Sequence, residues 1–390
     1  MTKQNLLPEE WKTFETHELR LALANCFGGP GQYNDDKQTK LYLPLAGATS
    51  KIAIQFKERE ISCVELGESL DLKDWQEYAK QIESALNGGQ RAIGRGICFS
   101  FHQTFGHWRG LRSGIQILPA PSQNLPQNQG MSQHPFIIEF PFVKSEIQSV
   151  TWHRYRMAFG EAAKLLNLFL VGRVTQNYGN GDQLWHVDIG QLIADEYSST
   201  TALAIDEIVP ENYAKIGIDT LGMRVPSNLD ELVLCFFALT SDPRKKFALA
   251  LHWFDMATRC WNIGAHSLSF AALVSAVEAL TNRGIAHNCW CDDCKKSLPH
   301  EVPGATERFR IFLERFAPRD ENRKQRTKMY ELRSMILHGS NLMLLDMGMA
   351  YGWDPPLTAE TELHRELFLL TRTALHNWLM ASSTNDAQGT

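Results

Sequence analysis

The residues best suited to chemistry lie in one short run, Lys328–Ser340, which reads KMYELRSMILHGS. Gly339 is a natural residue to follow a helix, because glycine takes the left-handed conformation without strain, so the helix is expected to stop at His338. With Met329 at 0° and about 100° per residue, Leu332, Met335 and Ile336 share an arc with it, the expected core face. Arg333 then falls at about 40°, Tyr330 at about 100°, Ser334 at about 140°, His338 at about 180° and Glu331 at about 200°. One flank therefore gathers a guanidinium, a phenol, a hydroxyl and an imidazole, interrupted only by Leu337. These types suit phosphodiester chemistry. Arginine offers a planar fork of donors to phosphate oxygens and keeps its charge. Histidine can take or give a proton near neutral pH. In RNA the 2′-hydroxyl is an internal nucleophile. A proton acceptor, a proton donor and positive charge on the phosphorus are then enough, without a metal. One histidine per chain serves one proton transfer, and a second copy of the chain would serve the other. The bland alternative is that Arg333 and His338 cap helix ends or form an interface pair with no chemistry.

The elements expected to position these residues are helical from about Pro226 onward. Candidate helices are Asn228–Leu239, a helix from Asp242-Pro243 to about Trp261, His266–Asn282, Ala305–Phe316, about Asp320–His338 and Leu357–Met380. His266–Asn282 is apolar on most sides and belongs at the centre of a bundle. Glu278 sits inside that apolar helix and needs a base to satisfy it; Arg333 is the expected partner. Tyr330 has a packing role as its alternative. The 225 residues before the bundle read as mixed α and β. Strand patterns cover Lys51–Phe56, Glu60–Leu66, Gly96–Phe101 and Phe136–Phe142, and a helix fits Leu72–Leu86. Asn180-Gly181 is the strongest hairpin signal, between Leu168–Val174 and Leu184–Ile189. Leu118–Pro135, rich in Pro, Gln, Asn and Ser, is expected to be a long surface loop. The expected organisation is an α+β sensor or binding region over 1–225, a helical bundle over 226–382 and a disordered tail over 383–390.

Three segments carry a resemblance. They are SLSFAALVSAVEAL at Ser267–Leu280, RFRIFLERF at Arg308–Phe316 and YELRSMILHGS at Tyr330–Ser340. Together with Arg333-Ser-Met-Ile-Leu-His338, which fits an R-x4–6-H signature, they resemble the Apea-like branch of the HEPN superfamily over about residues 226–380. The resemblance implies an all-α HEPN-like bundle that dimerises, or forms a higher homo-oligomer, with its R-x4–6-H motifs facing one another. Many members are metal-independent endoribonucleases in bacterial toxin, antiviral and RNA-guided defence; others are non-catalytic RNA-binding or assembly modules. It implies Arg333 on the scissile phosphate and His338 as general acid or base; Glu278, Tyr330 and Ser334, chosen by their types and places, are the supporting candidates. Catalytic members often carry Asn, Asp or His after the arginine, where this chain has Ser334. The N-terminal 225 residues resemble no family; a phage or cellular trigger is the partner expected for them.

His287, Cys289, Cys291 and Cys294 place three thiols and an imidazole within eight residues. Tetrahedral zinc takes four such ligands, and a structural zinc here would pin the loop between the Glu278 and Arg308 helices. Free thiols or redox cysteines are the alternatives, since no second CxxC follows. A zinc deaminase is disfavoured: His364-Arg-Glu366 has its H-x-E spacing but lies after the cysteines, with no P-C-x-x-C beyond. The other five cysteines stand singly among apolar residues and read as core. No nucleotide-binding GxxxxGK[ST] or GxGxxG is present, nor GxSxG or HExxH. The run Phe99–Trp108 with Arg109 and Arg112 has types that stack on bases; a packed strand and turn is its alternative.

Length and charge bound the rest. At about 150 residues per domain, 390 residues suggest two or three domains. The formal net charge of −5 excludes a polycation built to coat nucleic acid or membrane. Charge is uneven, however. Arg308–Arg333 holds nine bases against four acids, and Asp188–Glu231 holds nine acids against two bases. Either these are two solvated faces of opposite sign, or the basic helices meet an anion and the acidic stretch covers them when idle. No apolar run is long enough to span a membrane, and the start of the chain lacks a signal-peptide layout, so a cytoplasmic protein is expected.

Overall fold

The computed structural model describes residues 7–27, 32–33, 40–44, 51–57, 60–65, 72–120, 134–170, 174–176, 204–206, 222–281, 288–291, 296–299, 303–318, 323–347 and 355–388. Mixed strands and helices come first and an all-helical region follows, as expected from the sequence. The chain divides into two compact units: Met1–Gly94 with Phe140–Phe159, and Arg95–Glu139 with Gly160–Thr390.

In the first unit, a 3-10 turn (Glu9–Thr13) leads into α1 (Thr16–Cys26), whose N-terminus is capped by the Glu15 side chain accepting from the Glu18 amide at 2.8 Å. Four antiparallel strands follow in chain order: β1 (Gln32–Tyr33), β2 (Lys40–Pro44), β3 (Lys51–Lys57) and β4 (Glu60–Glu65). The helical spacing noted for residues 72–86 forms α2 (Leu72–Asn87), which buries Trp75, Ala79, Ile82 and Leu86 on one face. These pack with Trp11, Leu19, Leu23, Phe27, Ile54 and Val64 into one core.

Three elements contribute residues to both units: β5 (Gln90–Ser100), β8 (His134–Lys144) and α3 (Gln148–Phe169). In the second unit, β6 (Trp108–Arg109), β7 (Gln116–Pro119), β8, β5 and β9 (Thr175–Gln176) form a five-stranded sheet in the order β6-β7-β8-β5-β9. Phe136, Ile137 and Ile138 are consecutive and fully buried, so β8 is covered on both faces. The run from Phe99 to Trp108 is the strand-and-turn alternative. Phe99 is buried in β5, and Asp230 receives the amides of Arg112 and Ser113 at 3.0 Å each. A short parallel pair, β10 (Ala204–Asp206) and β11 (Arg224–Pro226), precedes the helices.

The helices are α4 (Leu229–Ala238), α5 (Ser241–Asn262), α6 (His266–Leu280), α7 (Ala305–Phe316), α8 (Arg323–Leu337) and α9 (Pro355–Gln388). Between α6 and α7 lies a hairpin, β12 (Asn288–Cys291) with β13 (Lys296–Pro299). α6 takes the central place expected of it. It touches α5, α7, α8 and α9, and Phe270, Leu273, Val274, Ala276 and Val277 are fully buried. Pro243 sits two positions deeper than expected, because the first helical bond runs from the Arg244 amide to the Thr240 carbonyl and the helix starts at Ser241. The proline costs nothing there, since the first amides of a helix have no internal partner.

Two expectations are corrected. Leu168 and Phe169 are not the arm of a hairpin; they end α3. Leu165, Leu166, Leu168, Phe169 and Leu170 are all fully buried, and a helix end apolar on every side has no period to tell it from a strand. Asn180-Gly181 and Leu184–Ile189 lie outside the described residues. The end of α3 is bonded to the bundle. Arg372 of α9, itself buried, donates from Nε to the Leu168 carbonyl at 2.6 Å and from Nη2 to the Leu170 carbonyl. Asn167 donates to Asp255 of α5 at 3.3 Å, and Arg244 pairs with Glu161 at 3.1 Å. Finally, α9 continues to Gln388, past the expected end at Met380 and through most of the 383–390 stretch expected to be disordered.

Candidate functional site

The sequence puts Glu278 on the last turn of α6 and Tyr330 and Arg333 one turn apart on α8. The fold brings the three together. Tyr330 donates its hydroxyl proton to Glu278 Oε1 at 2.7 Å, and Arg333 donates from Nη2 to Glu278 Oε2. The Arg333 guanidinium also lies over the Tyr330 ring, 5.5 Å from its centroid. Phe309 of α7 backs that ring at 5.5 Å between centroids. A carboxylate at a helix C-terminus opposes the helix dipole, and the guanidinium offsets that cost. Burial, the bond to Glu278 and that carboxylate's charge push the Tyr330 hydroxyl above its ordinary range, against Arg333 and Arg308, so it stays a proton donor. Arg333 is half-buried, with its side chain 20% exposed, and its Nε is buried without a hydrogen bond.

The wheel drawn from sequence needs one change. Met329, Leu332 and Ile336 face the core as expected, but Tyr330 is buried at 8% and Met335 is 41% exposed. The core face is turned toward Tyr330, because Glu278 and Phe309 hold that ring inside.

His338 follows the last residue of α8. Gly339 has φ +70°, its amide donates to the Ile336 carbonyl at 3.1 Å, and the Ser340 amide donates to the Met335 carbonyl at 3.0 Å. This double bond pattern is a Schellman stop, and it fixes the backbone at His338. The His338 side chain is exposed and makes no hydrogen bond or ion pair among the described residues. Ser334, half-buried, accepts the His338 amide at 3.0 Å through its carbonyl.

The segment after His338 is tied down by a residue the sequence did not flag. Asp346, in the 3-10 turn Leu344–Met347, accepts the amides of His266 and Ser267 at 2.8 and 2.6 Å. It thus caps α6 from about eighty residues away in the chain, a role with no local signature. Ser267 Oγ in turn accepts the Met343 amide at 2.8 Å. Arg333 therefore grips one end of α6 and Asp346 the other. Bonds to Ser267 and to the His266 amide hold the Asp346 carboxyl below its ordinary range, although burial opposes them. Such a group stabilises the fold fully above the unfolded value near 3.9 and loses that effect as pH falls through the lowered one. Asp346→Ala is expected to cost about 1 kcal/mol at pH 7, a typical cap. The gap from wild type should narrow as pH falls below the unfolded value, as read by urea denaturation across that range.

No protein-family model, curated protein or solved structure matches the chain.

Of the cysteine cluster, only the backbone of two members is described. Cys289 and Cys291 lie on β12, opposite Leu298 and Lys296 of β13. Their side chains, and the whole of His287 and Cys294, lie outside what is described. Among the described residues, no group of three or more His, Cys, Asp or Glu is placed to hold a metal. Among them too, no helix is long and apolar enough to cross a membrane.

Proposed function

We propose that the helical region is a metal-independent endoribonuclease of the HEPN type, serving a bacterial defence or toxin system. The observation that carries this reading is the contrast between its two central residues. Arg333 is held half-buried by Glu278 and Tyr330, whereas His338 stands exposed on a backbone fixed by Gly339. A preorganised cation and an exposed acid–base group are what transesterification of RNA requires. The 2′-oxygen attacks the phosphorus, its proton passes to one imidazole, and a second imidazole donates a proton to the departing 5′-oxygen. The products are a 2′,3′-cyclic phosphate and a 5′-hydroxyl. Five residues apart on a helix means about 140° around its axis, so one helix does not aim both groups squarely at one phosphate. A homodimer that faces two copies of the motif supplies both imidazoles and both cations. The N-terminal region would then restrain the pair until it meets a trigger. A structural zinc at His287, Cys289, Cys291 and Cys294 would stiffen the β12–β13 hairpin; no step of the reaction runs through it.

The test is turnover of a labelled unstructured RNA in excess EDTA. Cleavage with a cyclic phosphate end is expected, and a single 2′-deoxy substitution at the cut site should block it. No turnover, or equal cutting of the all-deoxy strand, overturns the reading. The second reading is a non-catalytic RNA-binding or assembly module, and the ion pair that already occupies Arg333 favours it. A gel shift without cleavage would select it.

A further inference from the structure

α3 carries an aromatic ladder that the nuclease chemistry does not use. Trp152 stacks on Tyr155 with 5.2 Å between ring centroids and 15° between planes. Tyr155 stacks on Phe159 at 6.3 Å and 22°. Steps of three and then four residues keep the rings on one face of the helix. Phe159 stacks on Phe140 of β8 at 5.7 Å and 26°, and Phe140 is buried, so the stack is closed at that end. Gly94 of β5 makes room for it: a Cβ there would lie 2.5 Å from the Phe140 ring and 3.0 Å from that of Tyr155. The other end is open. Trp152 is 63% exposed yet held flat, so another planar group can extend the stack without ordering the ring first.

Charge beside the open end narrows the occupant. Arg156 lies one helical turn from Trp152. Lys144 follows Phe142 on the same face of β8, and Phe142 meets Tyr155 edge-on at 5.8 Å. Both cations are exposed, and among the described residues neither has an ion pair or side-chain hydrogen bond. Arg154 on the same helix, by contrast, is spent on Glu18 and the Leu86 carbonyl. A flat heterocycle joined to anions at short intervals fits this pattern. A duplex hides its base faces, and a peptide lacks the regular charge.

We propose that the first compact unit binds single-stranded nucleic acid here, with one base stacked on Trp152 and backbone phosphates on Lys144 and Arg156. The proposal is independent of the nuclease reading, and its probe keeps it so. Dye-labelled oligo(dT) lacks the 2′-hydroxyl that the proposed cleavage needs. Fluorescence anisotropy with the full chain should show saturable binding. Trp152→Ala should weaken it about tenfold or more, and Trp152→Phe should retain most of it. Lys144→Gln with Arg156→Gln should reduce the slope of log K against log salt by about 1.4, for two single-strand phosphate contacts. These positions are exposed, and circular dichroism checks that the variants fold. Equal affinity of Trp152→Ala and wild type overturns the proposal. So does absence of binding, which would leave the ring to a protein surface. Loss of binding in Arg333→Ala but not in Trp152→Ala would place the affinity in the helical bundle, sinking this proposal and not the nuclease.

Discussion

His338→Ala is expected to lower RNA cleavage by about 10²- to 10⁴-fold, the range for losing a general acid or base. Its unfolding free energy should stay within about 0.5 kcal/mol of wild type, because the ring is exposed and bonded to nothing described. Arg333→Ala should abolish cleavage as well, but not so cleanly. It leaves Glu278, 26% exposed at its side chain, without a base, at a cost of about 1–3 kcal/mol. Adding Glu278→Gln should return most of that stability and none of the activity. The pair of measurements separates a cation needed by the phosphate from a cation needed only by its neighbour. If His338→Ala cleaves like wild type, or if the double variant recovers activity, these residues are structural and the nuclease reading falls.

Arg372→Ala is expected to be strongly destabilising, at about 3 kcal/mol or more. Its guanidinium is buried and donates to two carbonyls at the C-terminal end of α3, those of Leu168 and Leu170. Charge-assisted bonds in a dry site are strong, and their loss strands both carbonyls. A cation at a helix C-terminus also complements the dipole. Arg372→Lys should recover little, since an ammonium cannot span two acceptors as a planar fork does. Urea denaturation of the variants reads this directly. A loss under about 1 kcal/mol for Arg372→Ala would show that water or a neighbour serves these carbonyls equally well, and that α3 is not tied to the bundle through them.

What could be read from residues alone follows from where the information sits. Helices with one apolar face or an apolar surround, such as α2 and α6, declare themselves, and Gly339 marks its own helix end. The Glu278–Arg333 pair was legible because a lone acid among apolar neighbours demands a base. The end of α3 was not, since its leucines are buried on all sides and fit strand or helix alike. Tyr330 and Met335 exchanged places with respect to the core because Phe309 and Glu278, distant in the chain, decide which side chain is worth enclosing. Asp346 was silent for the same reason: its partners are amides of another helix, and amides carry no residue identity. The tie between the end of α3 and the bundle was hidden because Arg372 and Asp255 bind segments far from them in sequence.

The double attachment of α6 has a mechanical corollary. Between Arg333 and Asp346 the chain behaves as a bracket clipped to both tips of one rod, and His338 rides on its span. The imidazole therefore owes its place to both tips of the rod and to no bond of its own among the described residues. Lengthening the span by a few residues at 341–342 would leave both clips in place and slacken what lies between them.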